Sequence, residues 1–257
     1  MLKEIIISLQ SYMHAHRFIK EHKLWKWILI PGLIYSLLFI AGIYLFWISS
    51  NSALEFVMVK TGAKSWLESK QDSWISFLFI VGQIILRLVL LLFYFSLFKF
   101  LFLIVGSPLF AYLSEKTEST IQGKDFPFSF SQLIKDIVRG ISIALRNLLW
   151  QTVYVLAILI VSFIPIVGWI APLMALMIEC YYFGFSMLDY SSERNKLGAA
   201  QSIAFIGNHK GLAIGNGIVF YLMHMVPFIG WVMAPGYAVI AATISLVNAR
   251  KQHVIIS

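Results

Sequence analysis

The sequence is poor in charge and cysteine, and each shortage excludes a class of protein. Only 12% of its 257 residues are charged and 60% are hydrophobic, and the mean hydropathy is +0.82. A soluble domain of this length has no core large enough to hide so much apolar surface, so lipid is the solvent for much of the chain. The single cysteine, Cys180, excludes an intrachain disulfide and lies in an apolar run, where such a residue ordinarily packs.

The sequence also lacks the motifs of common enzymes. It contains no H-E-x-x-H, no G-x-S-x-G and no glycine-rich phosphate loop followed by lysine. Glu179 and His224 could in principle form a hydrolase site within a membrane, but nothing in their spacing favours one. We therefore expect no enzymatic activity, no cofactor and no metal.

The net charge of +8 is best explained by a membrane setting. The basic residues do not gather with aromatic residues on a polar face, so we expect no nucleic-acid partner. Lysine and arginine beside apolar helices instead orient a membrane protein and contact lipid headgroups. The expected partner is the lipid bilayer.

Long apolar runs predict an all-α integral membrane protein with a single domain, 1–257. At the N-terminus, Leu2, Ile5, Ile6, Leu9 and Met13 fall at helical spacing and predict a helix on the membrane surface. The first apolar run has no small-x-small cleavage site and therefore predicts a membrane span, not a signal peptide. The predicted segments are an amphipathic surface helix (1–24), transmembrane helix 1 (25–48), a long transmembrane helix 2 ended by Pro108 (75–106), a cytoplasmic polar segment (107–147), hairpin 1 (148–188), a cytoplasmic connector (189–211) and hairpin 2 (212–249).

The two hairpins repeat the same turn. The repeated positions are Pro165, Gly168, Trp169 and Pro172 in the first copy and Pro227, Gly230, Trp231 and Pro235 in the second. Neither turn carries a charge, and the incoming arms are at or below the length that crosses a bilayer. The hairpins therefore either cross fully or enter only part-way. We expect the turns to lie in the hydrocarbon zone against protein, with Pro172 and Pro235 in the first turn of each returning helix.

Two functions of the repeated turn remain open at this point. Helix N-termini pointing into a membrane favour anions, and paired broken helices are typical of transporter sites. A Pro-x-x-Gly sequence is equally a simple tight connection between two helices.

The distribution of lysine and arginine predicts the orientation. With the N-terminus inside, fifteen of these residues fall in cytoplasmic segments and three, Lys60, Lys64 and Lys70, outside. The positive-inside rule then places both termini, and the 107–147 and 189–211 segments, in the cytoplasm.

Few charges fall inside the apolar runs, and Arg87 is the sharpest of them. Arg87 lies near the middle of predicted helix 2, on one helical stripe with Gln83 and Tyr94. Glu179 is predicted at a similar depth, roughly 15 Å from its cytoplasmic end. The two either form a buried ion pair or line the route of an anion. Lys99 falls on the opposite face, where we expect it to snorkel.

Four stretches in this order carry a resemblance to a known family. They are SPLFAYLSEKTESTIQG, FIPIVGWIAP, MLDYSSER and MVPFIGWVMAPGYAVIAAT. The chain resembles the CysZ family of bacterial sulfate permeases and the wider family of etoposide-induced membrane proteins. The resemblance implies two long transmembrane helices, two half-penetrating hairpins and a homo-oligomer. It implies an anion permease or channel for a sulfate-like solute in the bacterial inner membrane.

The chain departs from that family at one motif. The CysZ branch carries Gly-hydrophobic-Arg before the first span, associated with sulfate, where this chain has Lys23 and Trp25. Lys26 keeps one positive charge nearby, so Trp25 and Lys26 join the candidate site residues. The alternative function is a non-transporting membrane scaffold or stress-response protein, as the eukaryotic relatives are thought to be.

Overall fold

The computed structural model describes residues 1–60, 62, 74–123, 130–162, 170–192 and 198–256. Some helical stretches, 74–93 among them, are described by their backbone alone. Over these residues the chain is entirely helical. The helices are α1 (Leu2–Glu21), α2 (Trp25–Lys60), α3 (Trp74–Gln122), α4 (Phe130–Ser162), α5 (Ala171–Ser192), α6 (Ala199–Asn208), α7 (Lys210–His224) and α8 (Ile229–Ile256). Five helical segments in this part of the chain are long and apolar enough to cross a membrane. The all-α membrane class is therefore confirmed.

The chain forms two compact units, and the larger holds the hairpin helices. It comprises Met1–Ser36 and Phe100–Ser257, and its core is built where α1, α5, α7 and α8 pack on one another. The smaller unit is Leu37–Lys99, in which the Phe39 and Phe98 rings meet edge to face at 5.8 Å. Within it Tyr94 packs on Phe46, with the ring centroids 5.4 Å apart.

Two glycines set the crossing of α5 and α7. A Cβ on Gly184 would lie 1.9 Å from the Ala213 carbonyl oxygen, and one on Gly217 would lie 2.1 Å from that of Cys180. Only glycine permits such an approach, and small residues at close helix crossings are typical of membrane proteins. The crossing brings the middle of α5 against α7.

The N-terminal helix docks on hairpin 2 by a face other than the apolar one that its sequence pattern marks. Leu2, Ile6 and Met13 are more than half exposed, whereas Tyr12 and Ile19 are buried. The Tyr12 hydroxyl donates to the Asn216 carbonyl at 2.9 Å, and burial raises its pKa well above the ordinary value, so the hydroxyl keeps its proton. The apolar face predicted for membrane contact is thus left free for it, and the small and polar face packs on protein.

Several helices continue beyond the segment boundaries that the sequence pattern suggested. Helix α2 runs on to Lys60, and α4 joins the predicted amphipathic helix to the incoming arm of hairpin 1. Helix α3 continues past Pro108. Proline leaves the Ile104 carbonyl without its usual donor, and the Ser107 hydroxyl donates to that carbonyl at 2.9 Å instead.

Lys99 also departs from expectation. Its side chain is 6% exposed, so it is buried in protein and does not extend outward along an apolar surface as a snorkelling lysine would.

Candidate functional site

The carboxylate of Glu179 lies where three helices meet. The Gln151 amide of α4 donates to Oε1, and the Tyr221 hydroxyl of α7 donates to Oε2 at 2.9 Å. Gln151 is fully buried, and Glu179 itself is partly buried. Hydrogen bonds that a carboxylate accepts are among the stronger ones in proteins, so Glu179 links hairpin 1 to hairpin 2.

A second polar group lies at the end of α7. The Tyr35 hydroxyl and His224 Nε2 are 3.3 Å apart, and Tyr35 is 6% exposed. Phe220 stacks between Phe183, with centroids 3.7 Å apart, and His224, at 5.6 Å. Phe220 also meets Tyr221 edge to face at 5.2 Å. Phe220 therefore contacts a member of each group, Tyr221 beside Glu179 and His224 beside Tyr35.

The turn of hairpin 2 explains its repeated residues. The Trp231 indole N–H donates to the His224 carbonyl at 3.1 Å, which supplies a donor at the open end of α7. Gly230 lies so close to α7 that a Cβ there would be 1.8 Å from the Met223 carbonyl oxygen. Its own N–H donates to the Val226 carbonyl at 2.9 Å. Gly230 and Trp231 therefore hold the turn together, because both donate hydrogen bonds to backbone carbonyls at the end of hairpin 2's incoming arm.

The turn side chains agree only in part with the predicted contact with protein. Within this chain Met225 is 78% exposed and Phe228 and Ile229 are each 71% exposed, whereas Gly230 and Pro235 are buried. Because the turn satisfies backbone groups internally, it does not need a protein cover for them. The backbone of Phe228 has φ 61°, a left-handed conformation that is strained for a bulky residue.

The two returning prolines differ. Pro172 is the second residue of α5, so its place in the first turn is confirmed. Pro235 lies inside α8, which begins at Ile229, so its predicted place in the first turn is wrong. The left-handed Phe228 reverses the chain earlier than proline spacing suggests, and the returning helix starts six residues before Pro235.

The connector between the hairpins is held by a separate ion pair. Arg139 Nη2 donates to Asp189 Oδ1 at 3.0 Å, and the Ser202 hydroxyl donates to the same oxygen at 2.5 Å. These residues join α4, α5 and α6. This group has a structural role at the end of hairpin 1, away from the middle of α5.

The remaining predicted site residues are placed only in part. Trp25 is 37% exposed with its ring 6.4 Å from that of His16, and Lys26 is exposed. The side chains of Gln83 and Arg87 lie outside the described residues. So do Pro165, Gly168 and Trp169. The pairing of Arg87 with Glu179 therefore stays a prediction.

Sequence reasoning missed two partners of Glu179, Gln151 and Tyr221. They lie 28 and 42 residues away along the chain, and only the packing of the hairpins brings them together. A signal was present for Gln151, since it is a lone amide within the apolar stretch LLWQTVYVL. Tyr221 carries no such signal among neighbouring aromatics.

Comparison with known proteins gives one consistent result. Residues 11–235 match the model of the family described as Sulfate transporter CysZ/Etoposide-induced protein 2.4. A protein of Pseudomonas aeruginosa named Sulfate transporter CysZ is 30% identical over 186 residues, covering 71% of this chain and 75% of the relative. One of the same name from Pseudomonas fluorescens is 28% identical over 229 residues, covering 87% of this chain and 86% of the relative. These relatives are named as transporters and not as enzymes. The chain belongs to the CysZ/etoposide-induced protein 2.4 family of membrane proteins.

Proposed function

We propose that the protein is a permease or channel for a sulfate-like anion in the bacterial inner membrane. The observation that carries the proposal is the match to proteins named Sulfate transporter CysZ over about three quarters of their length. Because Lys23 and Trp25 stand where the CysZ branch has its Gly-hydrophobic-Arg motif, the choice of sulfate as the solute rests on the similarity to these relatives. The apolar helices supply the bilayer setting.

We further propose that hairpin 2 enters the bilayer without crossing it. Helix α7 has 15 residues, a length of about 22 Å against a hydrocarbon core of about 30 Å. Exposed Met225, Phe228 and Ile229 at its turn suit an apolar surrounding. The turn also caps its own backbone, which suits a position within the hydrocarbon core, where water cannot supply hydrogen bonds. Hairpin 1 has a longer incoming helix, so for it the proposal rests on the repeated motif.

The proposed route of the anion runs beside Glu179 and Arg87. A carboxylate repels an anion, and the hydrogen bonds that Gln151 and Tyr221 donate to Glu179 do not neutralise its charge. A cation at similar depth, Arg87, would offset the charge and attract the solute. Gln83, one helical turn from Arg87, would provide a neutral hydrogen-bonding group on the same stripe.

Uptake of radiolabelled sulfate into proteoliposomes tests the proposal. We expect uptake by the unaltered protein and its loss in Arg87→Gln. The double variant Arg87→Gln with Glu179→Gln separates two roles of the arginine. Restored folding without flux indicates that the arginine charge attracts the anion, whereas restored folding with flux indicates a structural pair.

Two outcomes would contradict parts of the proposal. Normal stability and normal flux in Arg87→Gln would contradict any role for that residue. No uptake of sulfate, thiosulfate or selenate by folded, inserted protein would contradict the transport proposal and favour the scaffold alternative. Lys20→Gln, an exposed change on α1, is the control for loss of one positive charge.

A further inference from the structure

A cleft separate from the Glu179 group opens between α4, α5 and α7. Its volume is about 460 Å³, within the range of small-ligand sites. Two cations and four ring side chains dominate its lining: Arg146, Lys210, Trp150, Tyr154, Tyr181 and Tyr182. Among the lining residues that the structure describes there is no aspartate or glutamate, so their net charge is positive.

Arg146 is held in position by neutral groups. Its Nη1 donates to the Asn147 amide oxygen at 3.0 Å, and its guanidinium lies 5.8 Å from the Phe185 ring centroid. It is also within electrostatic reach of the Tyr181 and Tyr182 hydroxyls. Among the residues that the structure describes, neither Arg146 nor Lys210 forms an ion pair. Both charges therefore remain available to a ligand.

An acidic residue does reach the start of α7, but it is engaged elsewhere. Glu4 Oε1 lies 2.8 Å from His209 Nδ1, and its Oε2 accepts from the Gly211 N–H at 3.0 Å. The same Oε2 is 3.8 Å from the N-terminal amine. Glu4 does not line the cleft, so it does not occupy the position between Arg146 and Lys210.

The aromatic residues give the cleft a second chemical character. Trp150 and Tyr154 have rings 6.2 Å apart and are 49% and 46% exposed. Tyr154 is followed by Tyr182 at 6.3 Å and Tyr182 by Tyr181 at 5.1 Å. Such rings offer apolar faces and hydroxyl donors together, as residues at the membrane interface do.

We propose that this cleft binds a tetrahedral oxyanion between Arg146 and Lys210, with tyrosine hydroxyls completing its hydrogen bonds. The anion has two possible sources, the phosphate of an anionic phospholipid headgroup and a free sulfate-type ion. For a phospholipid, the exposed faces of Trp150 and Tyr154 contact the glycerol and upper acyl chain. The site does not depend on the transport proposal, because its cations and its walls are distinct from the Glu179 group.

Binding to the purified full-length chain in nonionic detergent tests the site. The probes are dioctanoyl-phosphatidylglycerol and sodium sulfate, with dioctanoyl-phosphatidylcholine as the zwitterionic reference. Dissociation constants follow from the change in tryptophan fluorescence, checked by the shift in Tm with each probe. We expect phosphatidylglycerol, sulfate or both to bind at least several-fold more tightly than phosphatidylcholine.

The double variant Arg146→Gln with Lys210→Gln should weaken binding by about 10-fold or more, since each charge-assisted hydrogen bond contributes substantially. The matched control, Arg17→Gln with Lys20→Gln, removes the same two residue types from exposed positions on α1. It should leave the dissociation constant within about two-fold, because exposed distant charges are screened by salt.

The two probes distinguish the source of the anion. Loss of phosphatidylglycerol binding alone identifies a lipid headgroup, loss of sulfate binding alone a free ion, and loss of both a shared site. An equal effect in the Arg17 and Lys20 control, or no measurable binding of either probe, would overturn the proposal. If the double variant does not fold, Tyr181→Phe keeps the ring and removes one hydroxyl. Unchanged binding of both probes in that variant would also overturn it.

Discussion

At the scale of single residues, the indole of Trp231 caps the end of helix α7. Its N–H donates to the carbonyl of His224 at the end of α7, where the helix itself offers no donor. In an apolar surrounding, leaving a carbonyl without a donor costs more free energy than the same hydrogen bond contributes in water. The repeated tryptophan is therefore better explained by backbone capping than by packing alone.

Trp231→Phe should lower stability by about 1–3 kcal/mol, since the ring is kept in part and the donor is lost. The measurement is the Tm of the purified protein in detergent. Trp47→Phe is the matched control, because Trp47 is 68% exposed. The repeat predicts that Trp169→Phe behaves like Trp231→Phe. Equal melting of the Trp231 and Trp47 variants would contradict the capping role.

The Tyr221 hydroxyl gives a second test at residue scale. Tyr221→Phe removes the hydroxyl that donates to Glu179 Oε2 at 2.9 Å, so we expect a loss of stability of about 1–3 kcal/mol. Tyr44→Phe, at a residue that is 67% exposed, should change Tm little. Replacing Glu179 by Gln in the Tyr221→Phe background should recover part of the loss, because a neutral amide needs fewer donors than a carboxylate. A loss unaffected by Glu179→Gln would indicate that the hydroxyl acts elsewhere.

At the scale of helices, the crossing of α5 and α7 depends on two small residues. Gly217→Ala places a methyl group 2.1 Å from the Cys180 carbonyl oxygen, and backbone cannot move aside as a flexible side chain can. We expect destabilisation of at least about 1–3 kcal/mol, measured by Tm. Gly207→Ala in α6 is the control, since a Cβ there meets nothing within 4 Å. An alanine at position 207 should be neutral or stabilise slightly. Tolerance of Gly217→Ala equal to that of Gly207→Ala would contradict the close crossing.

Hydropathy and helical spacing predicted the helices but not where they end. Apolar composition decides that a segment is helical in lipid, so the all-α class followed from the residues. The end of a helix depends on whether a neighbour satisfies the freed backbone, and Ser107 does so next to Pro108. The face by which α1 docks was hidden because most of its buried residues are small or polar, Ser8 among them.

The candidate site was predictable only where one residue was unusual by itself. Glu179 stood out as a carboxylate in an apolar helix, and the structure gives it two donors. Gln151 and Tyr221 reach it through the packing of separate helices, which no local pattern encodes. The cleft at Arg146 and Lys210 escaped notice for the same reason, because the two cations are 64 residues apart in sequence.

At the scale of the whole molecule, the prediction with the widest consequence concerns orientation in the bilayer. The asymmetry of lysine and arginine predicts cytoplasmic termini, and cytoplasmic segments that include Thr120 and Ala200. The proposed oxyanion cleft would then face the cytoplasmic leaflet, where anionic lipid and the transported ion both reach it.

Cysteine labelling in intact spheroplasts measures this orientation. Thr120→Cys and Ala200→Cys should resist a membrane-impermeant maleimide added outside, and Lys60→Cys should react with it. Cys180 is 2% exposed and is replaced by alanine to give a silent background. Each variant is labelled again after permeabilisation, so that a buried thiol is not mistaken for a cytoplasmic one. Reaction at positions 120 and 200 but not at 60 would mean that the orientation is inverted. Reaction at all three would mean that the chain inserts both ways, with the cleft present on each face of the membrane.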